Sequence, residues 1–283
     1  MRCLFVFVFT LLVAMHFQAA HSRSADNLSY ADQSRPKQEI IMPAISQQVL
    51  QDLAPTGKIR VAINYGNPVL AQRNPKTGTP EGISVDLAKE LGKRLGVLVE
   101  FITYESAGKV VAAIETKAWD VAFLARDPTR AEQILFTEPY VIIEGTYLVK
   151  AASPFTSIDD LDKPDVRIAV GKGAAYDLHL TRTLKYATLV RADSSAAAID
   201  LFEKEGLDAV AGVRQPLENR AKTSHNLRVI PGRFTAIEQA MGTLTSRTAG
   251  YQMLNKFIAE MKSSNFIASS LLHHNKHDVT VAP

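Results

Sequence analysis

From residue 58 onward the hydrophobic positions fall into short blocks whose spacing switches between two and that of a helix. Ile59, Val61 and Ile63 alternate with Lys58, Arg60 and Ala62, so 58–63 is expected to be a strand. Turn formers follow, with Asn64, Gly66, Asn67, Pro68, Asn74, Pro75, Gly78 and Pro80 breaking any regular element. Val85, Ala88, Leu91 and Leu95 then recur at helical steps, which predicts a helix over 84–95, capped by Ser84 and ended by Gly96. A strand at 98–103, a helix at 108–117 and a strand at 121–124 come next. After Pro139 and Tyr140 and a strand at 146–149, the alternation starts again. Strands at 167–170, 188–191, 209–213 and 227–230 enclose helices at 176–184, 196–205 and 215–222, and helices over 250–261 and 266–272 end the pattern. Strands alternating with helices predict an α/β fold of mostly parallel sheets covered by helices. Two such units in one chain imply two lobes, with the cleft between them as the expected ligand site.

A repeat supports the two lobes. Asp120 precedes an apolar strand that is followed by Arg126 and Pro128, and Asp208 precedes one followed by Arg214 and Pro216. Either the lobes are pseudo-equivalent, which puts Arg126 and Arg214 at matching strand ends where open parallel sheets bind ligands, or the match is a common local pattern.

Composition narrows the setting. Arg2, the apolar run 4–15 and the small residues around Ala20 and Ser22 form the pattern of a secretory leader, expected over 1–22 with cleavage after Ser22. The run is well short of the roughly 20 residues a membrane span needs. Residues 23–56 are polar, interrupted by Pro36, Pro43 and Pro55, and are expected to be an extension that tethers or wraps, with a hint of a short helix over 45–53. The only cysteine is Cys3, so the exported chain relies on a hydrophobic core, and 283 residues with 46% hydrophobic content suffice for one. The net charge of +3 is spread along the chain, which argues against a nucleic-acid partner. No cofactor or metal is expected, His273, His274 and His277 lying in a polar tail that should fray.

The residues that carry a family resemblance lie in a fixed order. They are 57–63 as first strand, Glu81-Gly82-Ile83-Ser84-Val85-Asp86 leading into the first helix, Trp119-Asp120-Val121-Ala122, and the run from Asp127-Pro128-Thr129-Arg130 to Phe136-Thr137-Glu138-Pro139-Tyr140. Over about 57–270 the chain resembles the bacterial extracellular solute-binding proteins of the amino-acid-binding type, the receptors of ABC importers. The resemblance implies a periplasmic monomer that hands a small ligand to a membrane permease. It implies lobe I from 57–150 plus 238–272, lobe II from 151–237, a tail at 273–283, and hinge strands near 149–153 and 234–239 that let the lobes close.

The resemblance also implies a site. Arg130 is expected to clamp a ligand carboxylate, since a guanidinium makes two parallel charge-assisted bonds to one; the alternative is a structural Arg bridging to Glu132 or Glu138. Phe123 and Ala125 stand where relatives offer small or hydroxylated residues, and Phe123 either faces the ligand or packs in the core. Val213 and Arg214 stand where relatives place an acid for the ligand's ammonium, which shifts the expected ligand toward an anion. Arg214 either joins Arg130 and Arg126 near the cleft or points to solvent. Lys172, Gly173 and Ala174 lie between a strand and a helix, where backbone N–H groups reach ligand; the Walker spacing is absent, and Lys172 could equally be solvated. Tyr65 either stacks on ligand or packs on its lobe.

Two other functions share this fold. A cyclohexadienyl dehydratase-like enzyme would need a carboxyl group of raised pKa as general acid, for which Glu144 and Glu238 are conceivable by position. A soluble sensor would present the same cleft to a membrane receptor.

Overall fold

The computed structural model describes residues 45–283; the expected leader at 1–22 and the extension up to 44 lie outside the described residues. The elements run α1 (Gln47–Leu53), β1 (Lys58–Asn64), β2 (Gln72–Arg73), β3 (Pro80–Glu81), α2 (Ile83–Leu95), β4 (Leu98–Tyr104), α3 (Ala107–Ala112), β5 (Val121–Ala125), α4 (Pro128–Ala131), β6 (Ile134–Phe136) and β7 (Val141–Lys150). They continue with β8 (Arg167–Gly171), α5 (Ala175–Thr183), β9 (Thr188–Ala192), α6 (Ser195–Glu205), β10 (Ala209–Val213), α7 (Arg214–Lys222), β11 (Leu227–Val229), β12 (Thr235–Leu244), α8 (Thr248–Ser263), α9 (Phe266–His273) and β13 (Thr280–Val281).

The main path of the sheet is β4-β1-β5-β12-β7-β10-β8-β9. β4, β1 and β5 are mutually parallel on one side, β10, β8 and β9 on the other, and β12 and β7 cross antiparallel between them. Each lobe is thus a parallel sheet, covered by helices, whose innermost strand adjoins a crossing strand. β5 and β10 occupy equivalent places in the two lobes, which is the first of the two readings of the sequence repeat, and every residue of both is buried because both faces of the sheet are covered.

Four local expectations are corrected. Gly82 stands at the N-cap of α2, and the Ser84 hydroxyl, instead of capping, is buried against the Tyr140 hydroxyl at 3.2 Å; Gly96 does close the helix in the left-handed conformation. α3 stops at Ala112 rather than 117, since the chain turns to bury Trp119, whose indole N–H donates to the Val110 carbonyl at 2.9 Å. The first crossing lies earlier than 149–153: β7 pairs with β12 over 141–145 and with β10 over 145–148, so it changes lobes at Gly145, opposite both Thr235 and Val213.

The fourth concerns the tail, which is docked rather than frayed. β13 pairs with β7 beside the crossing, the Ala282 N–H donates to the Tyr140 carbonyl, and His274 Nε2 sits 2.9 Å from Asp86. Upstream, α1 is a packed element: Leu53 is fully buried and the Asp52 carboxylate accepts from the Gly250 N–H at 2.9 Å, at the start of α8. Among the described residues no helix is long and apolar enough to cross a membrane.

Candidate functional site

The strand end after β5 builds the centre of the site. Asp127 caps α4 by accepting from the Thr129 N–H at 2.9 Å, and Pro128 starts the helix where a missing N–H costs nothing. This short turn swings Arg130 back over the strand end. One Nη of Arg130 donates to the Ala125 carbonyl at 3.0 Å, and the other reaches across the cleft to the Gly173 carbonyl at 2.8 Å. Arg130 is 3% exposed, and its Nε has no partner. Of the five N–H donors a guanidinium carries, two are used, which leaves a buried cation with donors to spare. Burial pulls its pKa down to about 10, with Asp127 opposing the shift, so it remains charged at neutral pH.

The facing wall is the turn before α5. Asp177 accepts from the Gly173 N–H at 2.8 Å and pairs with Arg191 at 3.0 Å, which holds the turn in place. Tyr176 donates to Ser195 Oγ at 2.8 Å, joining α5 to the start of α6; burial raises its pKa to about 12 and keeps it protonated. Arg182 of α5 pairs with Asp127 at 2.8 Å, so the two lobes meet in an ion pair beside the Arg130–Gly173 contact.

These groups surround a small cavity of about 40 Å³. Asn64, Asn67 and Ser106 line it from lobe I, Lys172 and Ser195 from lobe II, and Gln239 from the crossing strand. Asn64 acts as a turn former, its Oδ1 accepting from the Gly66 N–H, whereas the Oδ1 of Asn67 is buried without a partner. Among the described residues no Asp or Glu lines this cavity. A second cavity of about 180 Å³ adjoins it and shares Gly66, Tyr176, Ser195 and Val213 with it.

The residues singled out from sequence divide. Arg130, Lys172 and Ala174 line the first cavity, and Gly173 contributes its carbonyl to Arg130. Tyr65 lines the second, with the Arg73 guanidinium 4.9 Å from its ring centre. Three lie elsewhere. Phe123 is buried in the core, its ring edge-on to Tyr140 at 6.0 Å, because β5 is covered on both faces. Arg126 is exposed, between Glu138 and Glu238. Arg214 turns toward the crossing strands, where it pairs with Glu144 at 2.6 Å and with Glu218, so its charge is matched outside the cavity. Asp127, Asp177, Arg182, Tyr176 and Gln239 were not anticipated. Only the Asp127-Pro128 pair carried a local signal, that of a capped helix start.

Comparison with known proteins places this geometry. A glutamine-binding protein of Geobacillus stearothermophilus is 22% identical over 205 residues, covering 69% of this chain and 75% of that protein. The crystal structure of a cysteine-binding protein from Campylobacter jejuni superposes with a TM-score of 0.68 at 20% identity, over 78% of this chain and 90% of that one. An ancestral amino acid-binding protein, described as a precursor of cyclohexadienyl dehydratase, superposes with a TM-score of 0.66 at 24% identity, over 80% and 98% of the two chains. Residues 59–272 match the bacterial extracellular solute-binding proteins, family 3, and because that match spans most of the chain, this protein belongs to that family.

Proposed function

We propose that this protein captures a small carboxylate in the periplasm and delivers it to the membrane permease of an ABC uptake system. The observation that carries the reading is Arg130, a buried guanidinium with an unpartnered Nε beside a cavity that no Asp or Glu lines among the described residues. A carboxylate there would gain charge-assisted bonds worth about 1.5–3 kcal/mol each. The polar groups around it, Asn67, Ser106, Ser195 and Gln239, are neutral and suit the hydroxyl groups of a small acid, from which the unpartnered Asn67 Oδ1 can accept. The apolar run 4–15 supports export.

The glutamine- and cysteine-binding relatives favour a zwitterion instead. A buried ammonium needs a compensating acceptor, and Val213 offers none where the family resemblance implies an acid. The dehydratase reading draws no support from Glu144, whose carboxyl is held below its usual range by its hydrogen bond to Arg214 and further by Arg233, the opposite of what a general acid needs.

Thermal-shift titration with matched pairs, each an α-amino acid and the 2-hydroxy acid of the same side chain, tests the reading. The hydroxy acid is expected to stabilise the protein more, and Arg130→Ala should abolish the stabilisation. Stronger stabilisation by the amino acids would overturn the anion reading, and an undiminished shift in Arg130→Ala would remove Arg130 from the site.

A further inference from the structure

The second cavity runs from the carboxylate site into lobe II, between the start of α6, the end of β10 and α7. Its walls are chemically unlike those of the first. Pro68 and Tyr65 bound it from lobe I, the buried Tyr65 hydroxyl having no partner, and Ala196, Ile199, Pro216 and Leu217 bound it from lobe II. Leu217 is almost fully buried and belongs to the small core that holds α6 and α7 on the lobe II sheet. Val213, the last residue of β10, is 9% exposed and lines both cavities, so an apolar side chain stands where they join. Glu105 is the charged residue on this wall; it is exposed and lies 3.7 Å from Arg73.

We infer that the ligand is an amphiphilic carboxylate whose head meets Arg130 and whose apolar tail, aliphatic or aromatic, fills the cavity between α6 and α7. The inference rests on the carboxylate reading of the Arg130 site and extends it to the rest of the molecule bound. Continuity is the argument. The two spaces share Gly66, Tyr176, Ser195 and Val213, and a tail leaving the first cavity past Val213 meets Pro68 and the Tyr65 ring on one side and Ile199, Pro216 and Leu217 on the other. A short hydrophilic acid would fill the first cavity and leave this apolar surface unused. Each methylene that enters the second should tighten binding about fourfold, equivalent to about 0.8 kcal/mol.

Calorimetric titration of the whole exported chain with acetate, butanoate, hexanoate and phenylacetate at one pH and ionic strength reads this directly. Affinity is expected to climb with tail length and to be high for phenylacetate. Ala196 is exposed on the rim of the cavity at the first turn of α6, so Ala196→Trp can narrow the opening without repacking a core. That variant should lower hexanoate affinity relative to acetate by about tenfold or more, and Ile199→Asn should act in the same direction by making the wall polar. A flat series, or equal losses for short and long acids in both variants, overturns the tail assignment while leaving the Arg130 reading intact. If no acid of any length binds, both fall together.

Discussion

Arg130 keeps its charge in a place that disfavours it, and the residues around it explain how. Burial lowers its pKa and the nearby Asp127 offsets part of that, while the carbonyls of Ala125 and Gly173 accept two of its N–H groups. A ligand carboxylate would stabilise the charged form further, so binding should raise the pKa of this group. Arg214 shows the contrasting case. It is satisfied by Glu144, and that pairing has a pH consequence. The folded pKa of Glu144 is depressed, so the stability it contributes is present above the unfolded value of 4.5 and is lost as pH falls through the folded one. The group is about one third exposed, so solvent screening limits the effect to about 1 kcal/mol. Glu144→Gln is therefore expected to lower the urea midpoint modestly at pH 7, and the gap to the wild type should shrink below pH 4.5. A gap that holds or widens on acidification would refute the pairing's role. At this scale the sequence was only partly legible: the place of Arg130 beside the cavity could be read from its run, but the orientation of Arg126 and Arg214 depended on Glu138, Glu238 and Glu144, acids supplied by other elements.

Among the elements, those with a clear period were legible to within a few residues, since period and burial express the same packing. The crossing strand was not. The sequence pattern predicts a strand only over 146–149, and nothing in it marks Gly145 as the residue that faces β12 on one side and β10 on the other. The tail was misread for a related reason, because β13 is only two residues long and its partner is 138 residues upstream at Ile142. α1 was visible as a hint, but its role comes from α8, where Gly250 leaves room for Leu53. Leu53 is fully buried, so Leu53→Ala should cost about 2–5 kcal/mol of unfolding free energy, as large-to-small core changes do. An unchanged denaturant midpoint would mean that α1 is a loose appendage after all.

In the whole molecule, the lobes meet where backbone approaches backbone, and two glycines permit it. A Cβ on Gly108 would stand 2.9 Å from the Lys172 carbonyl oxygen in the opposite lobe, and one on Gly173 would stand 2.9 Å from the Gly108 Cα. Gly173 also has a φ of +72°, so alanine there would strain its own turn and confuse the outcome. Gly108 lies in α3 with no such constraint, and alanine in a helix is favoured over glycine by about 1 kcal/mol. Gly108→Ala therefore penalises only the approach of the lobes. It should leave the ligand-free protein as stable as before, or slightly more so, while reducing the fraction of molecules in which Arg130 reaches Gly173 and Arg182 reaches Asp127. Apparent affinity falls by the same factor as that fraction, so a penalty of about 1.4 kcal/mol on closing weakens binding about tenfold. Small-angle scattering of the liganded variant should give a larger radius of gyration than the liganded wild type. Unchanged affinity together with an unchanged radius would show that the cleft binds without bringing these two turns together, and closure would then have to be sought elsewhere along the hinge.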